Sequence, residues 1–527
     1  MRLIEFADHT KANGSGSQPT ALMPSARGTA EPLEESVASG IAAELGAITG
    51  AYVYPRSITL GQGGVYSLIR EGLQKKLAII GTEPVTDVPD NSESRSVSYD
   101  GQDLQLTLLP VSSSTAAFLR EQFDWLTPVT FGTRTTVGCG DRLGLATPGH
   151  LRAVRLSPTG AWHPSSGIAP ILAQQSIREM ARTNRTPTDV MDDAMWGAFE
   201  EGWQAGFGAD ADHLKTTEDI DRCVAAGFTF YTFDPGAYVN NTYSTSAFDD
   251  LPWGDLETTS SETLARYTPR FEPAIVQRAF VKYGRAIAHV ATLYRYLKSQ
   301  MNGRLAQQFE VEVSVDETEQ PTTHAEHTMI AGELRRLSVE WVSLAPRFVG
   351  RFEKGVDYIG DLEAFDRDCS GHAQIAREWG PYKLSIHSGS DKFSIYPLVA
   401  QHAGHEMYVH LKTAGTSYLE ALRTVARANS TLFKDIYALA YERYPEDRAS
   451  YHVSADPAKA PDNQLSGVSD PQTVLDQFDA RQMLHVCFGS ILSRYGADIK
   501  TVLRQNEEMH YADLQRHFMH HLESFCN

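Results

Sequence analysis

The feature that most constrains this chain is an alternation. From residue 127 to residue 454, short apolar runs with strand character take turns with helical stretches. Parallel strands cannot be joined by tight turns. Each needs a crossover, and a helix is the usual one. The strand-like runs are 127–137, 205–211, 228–233, 309–315, 339–344, 382–386, 407–411 and 451–454. Helices are predicted over 173–202, interrupted at Thr186-Pro187, and over 217–226, 325–337, 363–379 and 418–429. Eight strands with helices between them predict an α/β fold of the (β/α)8 barrel type.

The flanks divide accordingly. A length of 527 residues exceeds one ordinary core. Residues 1–40 read as a flexible arm, rich in Gly, Ser, Pro and Ala over 11–36. Residues 41–125 read as a small α+β domain, and 126–527 as the barrel. Residues 237–308 interrupt the rhythm with a polar loop and a long helix over 273–301, and so form an insertion. Helices over 470–525 close the chain.

Composition excludes some partners. A net charge of −19 argues against nucleic acid and against an anionic membrane surface. No apolar run approaches the roughly 20 residues that span a bilayer, and residues 1–8 lack an apolar signal core. Cys139, Cys223, Cys369, Cys487 and Cys526 show no CxxC spacing, which fits reduced thiols and a cytoplasmic location. A homo-oligomer is compatible with all of this.

In such barrels the chemistry sits at the C-terminal strand tips. The tips here carry Asp212-His213, Asp234, Asp316-Glu317, Arg347, His387 and His410 with Lys412. Imidazoles from three strands can converge on a divalent metal and leave a position open for substrate. His213, His387 and His410 are the expected ligands, with His150, His324, His327 and His452 as alternatives. The ion would be Zn, Mn, Ni or Fe. Asp212 and Glu317 end different strands and are the expected acid–base pair. Glu312 shares the parity of Asp316 and reads as a paired charge inside the barrel. Arg347, Lys354, Lys392 and Lys412 make this face basic within an acidic protein, so the expected substrate is a small anion. After His387, the turn Ser388-Gly389-Ser390 and the pair Asp391-Lys392, read as opening a helix, add Ser388 and Asp391 to the expected substrate contacts.

The run Gly138-Cys139-Gly140-Asp141-Arg142-Leu143-Gly144 lacks the spacing of a dinucleotide loop, and the chain contains neither a P-loop nor G-x-S-x-G. Three stretches resemble the tagaturonate epimerase family instead. They are the run from Gly138 to His150, the run from Asp316 to Thr323, and the run from Lys383 to Pro397. The resemblance extends from about residue 125 to the C-terminus. It implies a metal-dependent isomerase that interconverts D-tagaturonate and D-fructuronate, a keto-sugar acid pair. Those sugars differ at the carbon two bonds from the ketone, whose hydrogen the ketone does not acidify. Retro-aldol cleavage and re-addition, with Glu317 and Asp212 exchanging the hydroxyl proton, would invert it. Transient oxidation would require a cofactor site that the sequence does not present. A metal-dependent aldose–ketose isomerase or a class II aldolase would share the same barrel mouth. A sugar-binding regulator would bind without turnover and without metal.

Overall fold

The computed structural model describes Leu3 and residues 33–155, 167–242, 245–302, 308–403 and 408–526. Six strands come first: β1 (Tyr52–Val53), β2 (Thr59–Gly61), β3 (Gly64–Glu71), β4 (Gln74–Gly81), β5 (Glu93–Tyr99) and β6 (Gln102–Pro110). They form an antiparallel sheet in the order β1-β3-β4-β6-β5, with β2 on β3. Side chains alternate across it as the pleat requires. Ala78 and Ile80 pack with Ile41 and Leu45 of the helix Glu35–Thr49. Leu77 and Ile79 face the other way and join the core of the barrel body. There Lys75 Nζ reaches Glu200 Oε2 at 2.6 Å and Glu507 Oε1 at 2.5 Å.

The next eight strands close into a parallel barrel. They are β7 (Thr136–Gly138), β8 (Ala169–Ser176), β9 (Gly208–Leu214), β10 (Phe230–Phe233), β11 (Glu310–Ser314), β12 (Ser343–Ala345), β13 (Lys383–Ile386) and β14 (Val409–Lys412). β14 pairs back onto β7 through His410 and Thr136, so every strand tip opens on one mouth. The helix Pro273–Met301 covers the outside between β10 and β11. The helix Glu507–Leu522 packs on Thr147–Arg155. A Cβ on Gly149 would lie 2.6 Å from Leu514 Cβ, so the missing side chain is what lets these helices meet. Among the described residues, no helix is long and apolar enough to cross a membrane.

Two strand expectations need correction. The second strand is Ala169–Ser176, where a helix was expected from residue 173. Its Ala, Leu and Gln residues favour helices in isolation, but all eight of its residues are buried between neighbours on both sides. Tertiary pairing overrides the local preference. Residues 451–454 form no strand. Ser454 N–H donates to Glu353 Oε2 at 2.8 Å and to Gln482 Oε1 at 3.0 Å, and the segment lies over the mouth as a loop. The first strand is also shorter than expected, Thr136–Gly138, and Asp391-Lys392 sit in a turn before the helix Tyr396–Ala403. Residue 407 and most of the N-terminal arm lie outside the described residues.

Candidate active site

A cavity of about 680 Å³ opens over the strand tips. Asp212, His213, Asp316, His387 and Lys412 line its deep part, and Glu317 lies at its rim. An irregularity in β9 is what brings two adjacent residues into it. Tyr231 pairs with Ala211 and Phe233 with Leu214, so two steps on β10 match three on β9. The extra residue is a bulge, and His213 takes a φ of +56° there. A regular strand would send Asp212 and His213 to opposite faces. The bulge turns both toward the mouth, at the cost of an uncommon backbone conformation of the kind found at functional sites.

Each imidazole is held by its own carboxylate. His213 Nδ1 lies 2.7 Å from Asp212 Oδ1, which leaves Nε2 facing Glu317 Oε1 at 3.9 Å. His387 Nε2 lies 2.6 Å from Glu312 Oε1, which turns Nδ1 toward Asp316 Oδ1 at 3.1 Å. The two rings are 5.1 Å apart. Beneath them Lys412 Nζ touches Asp212 at 2.6 Å, Asp210 at 2.9 Å and Glu312 at 2.9 Å.

This buried charge sets the protonation states. Burial pushes the Asp212 carboxyl up, but His213 and Lys412 outweigh it and hold it well below the usual range. Burial likewise raises Glu312, and Lys412 and His387 reverse the effect. Burial lowers Lys412, yet Asp210, Asp212 and Glu312 raise it well above an ordinary lysine. Burial lowers His387, but Asp316 leads the carboxylates that raise it to about 10. The carboxylates thus outnumber the permanent cation Lys412, and the histidines take up protons in answer.

That donor set fits a divalent cation. Ligand atoms of His213, His387 and Asp316 all lie within 4.8 Å of one another. Two imidazole nitrogens and one carboxylate oxygen suit zinc and related ions, and backing of each histidine by a second carboxylate is the usual support for such ligands. Above, Arg178, Arg347 and Lys354 line the cavity wall, and among the described residues none is ion-paired to a carboxylate. Lys354 Nζ donates to Ser388 Oγ at 2.6 Å.

A family model for tagaturonate epimerase matches residues 54–525. The chain belongs to the tagaturonate epimerase family. It is therefore an isomerase of the epimerase type. A curated tagaturonate/fructuronate epimerase of Thermotoga maritima is 41% identical over 424 residues, covering 77% of this chain and 83% of that protein. A crystal structure of a fructuronate-tagaturonate epimerase from Cohnella laeviribosi superposes with a TM-score of 0.79 at 34% identity. It covers 93% of this chain and 99% of that one. A one-glycerol complex of the same enzyme gives the same TM-score and identity, covering 92% and 98%.

The epimerase motifs prove to be partly architectural. Asp141 accepts backbone N–H groups from Leu143, Gly144 and Ala146, and so shapes the loop after β7. His150 Nε2 meets Ser417 Oγ at 2.8 Å, outside the mouth. Of the expected site residues, Asp212, His213, Glu317, Arg347, Lys354, His387, Ser388 and Lys412 all line the cavity. His410 does not. It lies below the floor, with Nδ1 2.7 Å from Thr136 Oγ1. Asp391 and Lys392 turn away from the mouth. Asp391 pairs with His517 at 2.8 Å and Arg481 at 3.1 Å, and Lys392 Nζ donates to the carbonyls of Glu353, Val356 and Ser390. Sequence reasoning put Asp316 at a strand tip without giving it a role, and passed over Arg178. Only the contact of Asp316 Oδ1 with His387 Nδ1, at 3.1 Å, marks the former.

Proposed function

We propose that this epimerase interconverts D-tagaturonate and D-fructuronate with a divalent cation held by His213, His387 and Asp316. One observation carries the reading: His213 and His387, each backed by its own buried carboxylate, bring ligand atoms within 4.8 Å of each other and of Asp316, beneath Arg178, Arg347 and Lys354, none of which is ion-paired to a carboxylate among the described residues. In the ligand set Asp316 takes the place expected of His410.

A bound cation would polarise the ketone and the neighbouring hydroxyl of the substrate. Arg178, Arg347 and Lys354 receive the carboxylate, with Arg347 suited to a bidentate contact. Glu317 takes the proton from the hydroxyl on the carbon to be inverted. That O–H electron pair becomes a new carbonyl while the adjoining carbon–carbon bond opens, its electrons passing into the ketone. The freed aldehyde turns and the bond re-forms on its other face. The oxygen then lies on the opposite side, where the Lys412 ammonium stabilises the alkoxide and water in the open mouth returns a proton. Asp212 stays ionised and keeps the ammonium in place, 2.6 Å away. The expected acid–base pair is thus unequal: Glu317 exchanges the proton, and Asp212 acts through His213 and Lys412. Solvent resets Glu317.

The test is turnover of tagaturonate by protein stripped with a chelator, then resupplied separately with Zn, Mn, Ni or Fe. Loss and recovery of fructuronate formation are expected. Undiminished turnover after metal content has fallen to zero would remove the cation from the reaction.

A further inference from the structure

We propose a second divalent-cation site, between the helices His324–Arg336 and Leu362–Trp379, with His324, Asp368 and His372 as ligands and zinc as the ion they suit. None of the three lines the mouth cavity, and the inference does not rest on the function proposed above.

Asp368 and His372 are four residues apart on one helix, so one face presents both. His324 opens the neighbouring helix, whose start is fixed by the capping box of Thr323 and Glu326. His324 Nε2 lies 3.4 Å from Asp368 Oδ1, and His372 Nε2 lies 3.5 Å from the same oxygen. Hydrogen bonds of this kind are shorter, about 2.7–3.2 Å. Ligands bonded to zinc at about 2.0–2.1 Å in a tetrahedron sit about 3.3–3.4 Å apart, which is the spacing found.

Three further observations point to a ligand. His372 is fully buried, and among the described residues its Nε2 has no hydrogen-bond partner. The Thr322 carbonyl also faces this ring, but outside hydrogen-bond geometry. His372 Nδ1 is held by His327 Nδ1 at 2.8 Å, and His327 Nε2 by the Tyr382 hydroxyl at 2.8 Å. That relay orients His372 from behind, as outer partners orient metal-binding histidines. Last, a Cβ on Gly371 would lie 2.1 Å from His324 Cε1 and 2.3 Å from its Nε2. Glycine is a poor residue for a helix interior, and here it clears the space in which His324 reaches the other two ligands. A hydrogen bond from His324 Nε2 to the Asp368 carbonyl, 3.1 Å, is the contact the ion would replace.

The site would brace the mouth. Asp368 Oδ2 accepts the Val349 N–H at 3.0 Å, and Phe348 stands edge-on to His372 at 5.3 Å. The segment so held follows β12 and carries Arg347.

The experiment counts zinc. Wild-type protein, His324→Ala and Gly371→Ala are loaded with zinc, dialysed against a zinc buffer and analysed for metal per chain. His324 is half exposed, so its removal spares the core, and Gly371→Ala keeps every ligand while filling their space. Both variants are expected to hold one ion fewer per chain than wild type, and to show a smaller rise in Tm on zinc loading. A full complement of zinc in either variant overturns the proposal. His387→Ala run alongside reports the mouth separately, so failure at one site cannot be mistaken for failure at the other.

Discussion

Glu312 Oε1 stands 2.6 Å from the ε nitrogen of His387, and this contact decides which nitrogen His387 offers to the mouth. With Nε2 occupied, Nδ1 faces Asp316. The carboxylate both orients the ring and raises its basicity. Glu312→Gln is therefore expected to weaken metal binding by about 10–100-fold without unfolding the barrel. His387→Ala should remove the mouth ion and activity together. Competition with a chelator of known affinity measures both, and an unchanged metal affinity in Glu312→Gln would refute the orienting role.

Metal binding should depend on pH in a definite direction. In the metal-free protein burial opposes charge on His387, but Asp316 and its fellow carboxylates raise it to about 10. At neutral pH the ring is protonated and must lose a proton to become a ligand. Zinc added to metal-free protein at about pH 7 should therefore release protons, and affinity should climb as pH rises toward about 10. The sign for stability is opposite. A raised histidine stabilises the metal-free fold fully below its unfolded value of about 6.5, and that contribution fades as pH rises through about 10. Affinity that is flat with pH would show that His387 is not a ligand.

Arg347 lines the cavity without a carboxylate partner among the described residues. Arg347→Ala should raise KM, with a loss in kcat/KM worth about 1.5–3 kcal/mol, the range for a hydrogen bond to a charged group. Steady-state kinetics on tagaturonate test this. Equal activity on the corresponding neutral hexulose would remove the carboxylate pocket altogether.

Glu317→Gln should keep the metal but lose roughly 10²–10⁴ in kcat, the usual contribution of a proton-transfer group. An isotopic label then identifies the bond that breaks. Deuterium on the inverting carbon should be retained in product formed in ordinary water, with no large primary isotope effect. Wash-out would require direct deprotonation of that carbon. Retention with a large primary effect would indicate hydride removal and return.

The sequence by itself determined the barrel, because strand–helix alternation leaves few other ways to bury parallel strands. It also located the mouth, since polar residues at successive strand tips have nowhere else to converge, and it carried the motif strings of the epimerase family. Local pattern could not supply long-range partners. The strand Ala169–Ser176 reads as helix until its neighbours bury it on both sides. Period-two alternation would separate Asp212 from His213, and only pairing with β10 forces the bulge that unites them. Asp391 looks like a mouth residue beside His387, yet its charge is claimed by Arg481 and His517 from the C-terminal helices. Asp316 rather than His410 meets His387 because depth in the barrel is set by strand register, and register is a property of the closed sheet, not of any one strand.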